Sequence, residues 1–326
     1  MEQITALVKA VKERGATKVM IQLPEGIKVR AQEISEFLEK EGIESMVSLE
    51  PCYGACDLRD HEARLLGCDL LVHVGHSNFG VKTPFPVLYF PWFLDIDPIP
   101  ALSDNLKKLE KYKKIGLITS VNHLPALEKV KQFLEKNGKQ CFIGDGRHNP
   151  GQILGCDIRA ALNVENNVDC FLFIGTGKFH YLGVGLKRDL PLLSLDLERM
   201  EIYETEGEKL KFLKQRIIAM ELAKDSHKFG ILLSSKEGQA YVSSALGIKK
   251  RLKELGKEAV IFVMDTITQD KIFFTKVDCF INCACPRISI EDRSMYKKPL
   301  IGIDEFWEVF GKGKLNIIEP LIGKSA

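Results

Sequence analysis

Nine cysteines are spread along a chain of 326 residues: Cys52, Cys56, Cys68, Cys141, Cys156, Cys170, Cys279, Cys283 and Cys285. Two of them stand close together in "LEPCYGACDLRD" (49–60), a glycine-containing loop that follows a strand-like run. Thiols at that spacing can form a disulfide, grip zinc, hold an iron–sulfur centre or do nothing. The count is odd, and the opening "MEQITALVKAVKERG" mixes apolar and charged residues at helical spacing without the apolar core of a signal peptide. The expectation is a cytoplasmic chain whose cysteines are core thiols, metal ligands or nucleophiles rather than a disulfide frame. Structural zinc usually draws on paired CxxC spacings, and the sequence contains none.

Three stretches of the chain resemble one another. "LEKEGIESMVSLE" (38–50), "LEKNGKQCFIGDG" (134–146) and "LKELGKEAVIFVMD" (252–265) each end a charged amphipathic helix at a glycine and then enter an apolar run. A strand-like run precedes each helix: "KVMIQLP", "KKIGLITS" and "KFGILLSS". A third and a fourth follow each second strand, as in "GCDLLVHVGH" and "PVLYFPW". The helices carry stripes at three- and four-residue spacing: Ile27, Ala31, Ile34 and Leu38; Leu124, Leu127, Val130 and Leu134; Ala245, Ile248, Leu252 and Leu255. Near-continuous apolar strands alternating with helices predict parallel sheets covered on both faces. The fold expected is therefore α/β, with three pseudo-symmetric domains at 1–100, 101–215 and 216–326. The first boundary falls in a proline-rich segment and the second in the charged segment 198–228. A net charge of +2 gives no electrostatic case for direct nucleic-acid or membrane binding, and no apolar run approaches a membrane span.

The repeat sorts the cysteines. Asp69, Asp169 and Asp278 hold equivalent places at the third strand; Cys56 lies 13 residues before Asp69, and Cys156 lies 13 before Asp169. The third repeat has no cysteine at that offset, but Cys285 stands at the end of its third strand, in "CACPR". All three sit where open α/β sheets place ligands, at the C-terminal ends of parallel strands. Three thiolates with a fourth position open suit a 4Fe-4S cluster that leaves one iron for substrate. Cys68, Cys170, Cys279 and Cys141 lie inside apolar runs and read as small core hydrophobes. Cys52 and Cys283 neighbour the candidate ligands and read as packing or supporting groups.

Several motifs together, "QLPEGI" (22–27), "YGACD" (53–57), "HVGHS" (73–77), "GQILGCD" (151–157), "GTGKFHYLGV" (175–184), "SSKEGQ" (234–239) and "CACPRI" (283–288), resemble the diphthamide biosynthesis enzymes, above all the archaeal 3-amino-3-carboxypropyl transferase. The resemblance runs from about residue 18 to about residue 306. It implies a homodimer of three-domain chains and a 4Fe-4S cluster held by Cys56, Cys156 and Cys285. It also implies an electron donor and noncanonical radical chemistry on S-adenosylmethionine, with a histidine of translation elongation factor 2 as acceptor. Two departures stand out: Asp57 and Asn78 occupy places where relatives often carry a further cysteine. The usual one-loop Cx3Cx2C motif is broken as well, since Arg59 stands where its third cysteine would be.

The amino-acid end of that cofactor needs donors for a carboxylate and acceptors for an ammonium. Three glycine-flanked loops at equivalent strand ends are the candidates. Gly75, His76 and Ser77 come from domain one, Lys178 and His180 from domain two, and Lys236 and Gln239 from the expected start of a helix in domain three. Arg287, beside Cys285, completes the set. His61, His123, His148 and His227 read as surface residues. The rival readings are a quinolinate synthase, which shares the three-domain, three-cysteine architecture but performs a Lewis-acid dehydration, and a noncatalytic metal-binding accessory subunit.

Overall fold

The computed structural model describes residues 1–311. Among the described residues, three sheets are built from thirteen strands. The first contains β1 (Lys18–Gln22), β2 (Glu44–Ser48), β3 (Leu70–Val74) and β4 (Val87–Phe90). The second contains β5 (Lys114–Thr119), β6 (Gln140–Phe142), β7 (Cys170–Ile174), β8 (Leu192–Asp196) and β9 (Glu201–Glu204). The third contains β10 (Lys228–Ser234), β11 (Glu258–Met264), β12 (Cys279–Cys283) and β13 (Leu300–Gly302). The orders are β2-β1-β3-β4, β6-β5-β7-β8-β9 and β11-β10-β12-β13. Each sheet thus runs second, first, third, fourth, with every one of those pairings parallel. Only β9 departs, pairing antiparallel with β8.

Parallel strands need covered faces, and the sequence supplies the cover. Helix Ala31–Lys40 buries Ala31, Ile34 and Leu38 against β1 and β3; helix Leu124–Lys136 buries Leu127, Val130 and Leu134; helix Val242–Glu254 buries Ala245, Ile248 and Leu252. Each such side chain contributes roughly 1.5–3 kcal/mol when fully removed from water. The stripes hold with one exception. Leu255 is 38% exposed because the helix has already ended at Glu254. The glycines that end the three helices, Gly42, Gly138 and Gly256, have φ of 77°, 77° and 70°, the left-handed cap that only glycine adopts without strain.

The repeat aspartates explain themselves. Asp69 accepts from the Thr17 and Lys18 amides, Asp169 from the Lys113 and Lys114 amides, and Asp278 from the His227 and Lys228 amides. Each carboxylate therefore staples the start of the third strand to the start of the first. Those amide bonds, led by Lys114 and Lys228, hold the Asp169 and Asp278 carboxyls below their ordinary range.

The charged segment 198–228, read as the second boundary, holds β9 and the 20-residue helix Glu206–Asp225. That helix buries Phe212, Ala219 and Ala223 while Leu210, Ile217, Ile218 and Leu222 stay exposed. Its apolar residues lie on several sides, so no single stripe announced it. By its contacts the chain forms two compact units, one of residues 1–95 with 236–238, the other of residues 96–235 with those from 239 onward. Among the described residues no helix is long and apolar enough to cross a membrane.

Candidate functional site

In the first unit, Cys56 sits on a tight turn in which the Asp57 amide donates to the Gly54 carbonyl at 3.1 Å. The Asp57 carboxylate is 1% exposed and bonded to the Lys236 ammonium at 2.5 Å, with Arg59 Nε 3.6 Å from its other oxygen. Gln22, at the end of β1, donates to the Asp57 carbonyl at 2.6 Å. Gly238 lies so close that a Cβ there would come within 2.5 Å of the Cys56 carbonyl oxygen. The loop bearing Cys56 is thereby held from below by β1 and from the side by residues 236–238.

In the second unit, Cys156 occupies a corresponding turn. Leu154 and Asp157 exchange backbone hydrogen bonds of 2.8 and 3.0 Å across it, and Asp157 takes Arg159 in a fork, with Nε at 3.1 Å and the terminal nitrogen at 2.7 Å. The strings "CDLR" (56–59) and "CDIR" (156–159) are thus one device used twice: a cysteine, a buried aspartate and an arginine two residues on that pairs with it. This spacing was visible in the sequence, where only the cysteines were singled out. Gly155 and Gly183 meet backbone to backbone, since a Cβ on Gly183 would lie 2.3 Å from the Gly155 carbonyl oxygen. That contact seats the Cys156 turn on helix Lys178–Gly185.

Cys285 directly precedes helix Pro286–Ile290. Buried Asn282 fixes its backbone, donating to the Cys285 carbonyl at 2.9 Å and to Ser289 Oγ at 2.7 Å while accepting from the Ala284 amide at 3.1 Å. Cys156 and the neighbours of Cys285, Ala284 and Pro286, line one cleft of about 200 Å³ within the second unit, together with Asn282 and Tyr241.

Exposure separates the cysteines along chemical lines, with Cys141, also partly accessible, as the exception. Cys56, Cys156 and Cys285 are partly accessible, whereas Cys52, Cys68, Cys170, Cys279 and Cys283 are buried. Burial pushes the Cys170, Cys279 and Cys283 thiols up to about 12, which keeps them protonated and inert at neutral pH. Cys141 is less enclosed than a core residue, because β6 is an edge strand.

Of the loop candidates, Gly75 follows β3 with φ 83°, its amide donating to the Phe90 carbonyl, and Ser77 is half-buried beside it. His76 Nδ1 lies 3.1 Å from His73 Nε2. Lys178 opens its helix and is engaged by Glu208 at 2.9 Å. His180 stacks on Phe173 at 6.2 Å. Arg287 is paired with Glu291 at 2.6 Å. Residues 237–239 do not start a helix as the sequence suggested. They form a single 3-10 turn ending in buried Gln239, and the helix begins at Val242, because the Gly238 backbone is pressed against Cys56.

His123 is a second correction. It is 2% exposed rather than on the surface, and its ring packs where a Cβ on Gly175 would lie 2.8 Å away. Burial lowers His123 below the ordinary imidazole range and takes His180 down to about 4. Both are therefore neutral in the fold. In the unfolded chain they protonate near pH 6.5. Between about pH 6.5 and 4 the unfolded state takes up more protons, so stability is full above that window and falls as pH drops through it. Denaturant unfolding of metal-free protein should show a lower midpoint at pH 5 than at pH 7.5, and His180→Phe should flatten that slope. A midpoint that rises on acidification would contradict the neutral assignment.

Residues 23–317 match the family model of the diphthamide synthesis protein. The chain is 34% identical over 321 residues to the 2-(3-amino-3-carboxypropyl)histidine synthase of Pyrococcus horikoshii, covering 97% of this chain and 92% of that one. It is 30% identical over 306 residues to the enzyme of the same name from Methanocaldococcus jannaschii, covering 89% and 83%. Subunit 1 of the Saccharomyces cerevisiae synthase is 27% identical over 308 residues, covering 92% and 72%. Among solved structures, that of Dph2 from Pyrococcus horikoshii with a 4Fe-4S cluster superposes with a TM-score of 0.86 at 32% identity, covering 98% of this chain and 94% of that one. With the same three-sheet architecture and a match along nearly its whole length, this chain belongs to the diphthamide synthesis protein family.

Proposed function

We propose that this chain transfers the 3-amino-3-carboxypropyl group of S-adenosylmethionine to a histidine of translation elongation factor 2, the first step of diphthamide biosynthesis. Cys56, Cys156 and Cys285 are the ligands of a 4Fe-4S cluster in this reading. The observation that carries it is their shared placement. Each stands past the end of a strand, on a turn or helix start pinned by buried polar groups, and each is partly accessible, while the buried thiols fill cores. Three thiols leave one iron without a protein ligand, and the donor set fits the group. When bound, such a cluster supplies an electron at low potential, which cleavage of a sulfonium carbon–sulfur bond requires.

The chain's own task is to hold and orient. Asp57 and Asp157 fix the two cysteine turns through Lys236 and Arg159, and Asn282 fixes the third. Lys178, Lys236 and Arg287 each have a carboxylate on their charged end. This reading assigns the His76 and Ser77 loop amides and the Gln239 side chain to the amino-acid end of the cofactor, with the Gly75 amide already donated to the Phe90 carbonyl, and His180 offers a neutral ring. Elongation factor 2, a second copy of the chain and an electron donor are the partners in this proposal. The quinolinate synthase reading gains nothing from the relatives, which are named as histidine synthases.

Reduced protein incubated with S-adenosylmethionine and elongation factor 2 tests it. Mass spectrometry should find methylthioadenosine and a factor whose histidine has gained the 3-amino-3-carboxypropyl group. Main product 5′-deoxyadenosine would place the bond cleavage elsewhere, and an unmodified factor would remove the acceptor.

A further inference from the structure

The first unit contains a group of side chains that the transfer reaction does not use. Cys52, in the loop after β2, is 1% exposed, and His73, in β3, is fully buried. His76 lies just beyond the end of that strand and is partly buried. One donor atom from each of the three lies within 4.8 Å of the other two.

The hydrogen bonds around this group fix its protonation. Gln22 Nε2 donates to the Asp57 carbonyl, so its Oε1 faces the other way, where it accepts from the Arg59 amide at 3.3 Å and meets His73 Nδ1 at 3.0 Å. An amide oxygen can only accept, so His73 carries its proton on Nδ1. Its Nε2 therefore presents a lone pair, and it points at His76 Nδ1, 3.1 Å away. An imidazole oriented by a bond at one nitrogen with the other left as a lone pair is the arrangement of a metal-ligating histidine. The spacing agrees. At bond lengths of about 2.05 Å, two imidazole nitrogens on a tetrahedral ion stand about 3.3 Å apart, and a thiolate sulfur stands about 3.6 Å from each. Burial, with the Asp57 carboxylate nearby, pushes the Cys52 thiol up to about 12, opposed by a hydrogen bond from the Gly54 amide, so without an ion the sulfur keeps its proton and an ion must displace it.

We propose that Cys52, His73 and His76 bind one divalent transition-metal ion of the zinc class, separately from the three-cysteine centre. Binding releases the Cys52 thiol proton to solvent. His73 ligates through Nε2, and His76 through Nδ1 with its proton moved to Nε2, so the ion gains one thiolate and two neutral imidazoles. The ion ties the loop that carries Cys56 to the end of β3, with Gln22 as the positioning residue for His73.

Cluster-bearing protein prepared anaerobically should contain about one zinc-class ion per chain in addition to its iron. Cys52→Ser should lose that ion and keep the iron. In the full chain with Cys56, Cys156 and Cys285 replaced by alanine, one equivalent of Co2+ should give a thiolate-to-metal charge-transfer band. Adding Cys52→Ser should abolish the band. His76→Gln should weaken Co2+ binding, and Gln22→Ala should weaken it by roughly 10–100-fold, the range for a lost supporting bond. Three results would overturn the site: no Co2+ binding by a variant whose circular dichroism matches the parent, a band that survives Cys52→Ser, or loss of iron and zinc together in Cys52→Ser. The last would move Cys52 into the cluster and leave the transfer reaction itself standing.

Discussion

Replacing any one of Cys56, Cys156 and Cys285 by alanine should impair cluster binding and abolish transfer, while Cys68→Ala, Cys170→Ala and Cys279→Ala should retain both. The two sets differ in surroundings rather than in side chain. Cys170 and Cys279 lie within β7 and β12 with no exposure, among apolar neighbours, and Cys68 packs with Met20, Ala63 and Leu71. Truncating such a thiol removes packed volume and costs roughly 1–3 kcal/mol of stability. The other three sit on rigid turns at strand ends and contribute little to any core. Iron content, the cluster's visible absorption and methylthioadenosine release read the outcome together. A Cys52→Ala protein that lost its iron while Cys56→Ala kept it would show the ligand assignment to be wrong.

The architecture was legible because its signals are local and repeated. Near-continuous apolar runs placed the strands, stripes at three- and four-residue spacing placed the helices between them, three glycines marked the helix ends, and Asp69, Asp169 and Asp278 set the register between copies. Each of those aspartates bonds the backbone of its own sheet, so its place in the sequence reflects a contact made in every copy. What breaks the repeat was not legible. β9 pairs antiparallel, and the helix after it spreads its apolar residues around its circumference, so neither carries the pattern of the other elements. The partners of buried polar groups were hidden for a different reason. Lys236 and Asp57 are 179 residues apart, and nothing local to either reveals the other. A weaker signal was available at Gln22, a polar residue in an otherwise apolar parallel strand. Such a side chain must find partners, and its partners are the Cys56 turn and His73. His123 was misjudged because a lone histidine after a strand looks the same on the surface and in a core.

The pair Lys236–Asp57 should be the most costly interaction to break in the first unit, and the two single substitutions should differ. Both side chains are almost wholly buried, at 5% and 1% exposure, so neither charge can fall back on water. Removing one partner of a buried pair typically costs about 3–5 kcal/mol, because the other charge remains without compensation. Lys236→Met leaves Asp57 with Arg59 at 3.6 Å, a longer contact that recovers part of the loss. Asp57→Ala takes its carboxylate away from the buried Lys236 ammonium and from Arg59 at once, leaving Arg59 its ion pair with Glu62 at 2.9 Å. Asp57→Ala should therefore be the more destabilising change. It should also loosen the Cys56 turn, lowering iron occupancy even where the chain stays folded. The double variant Lys236→Met/Asp57→Leu removes both charges and should lose less than the sum of its parts, with a coupling of about 1–3 kcal/mol. Denaturant unfolding of the four proteins measures that coupling. Additive losses, or a Lys236→Met protein as stable as the parent, would mean that Arg59, not Lys236, is the counter-ion that holds the turn.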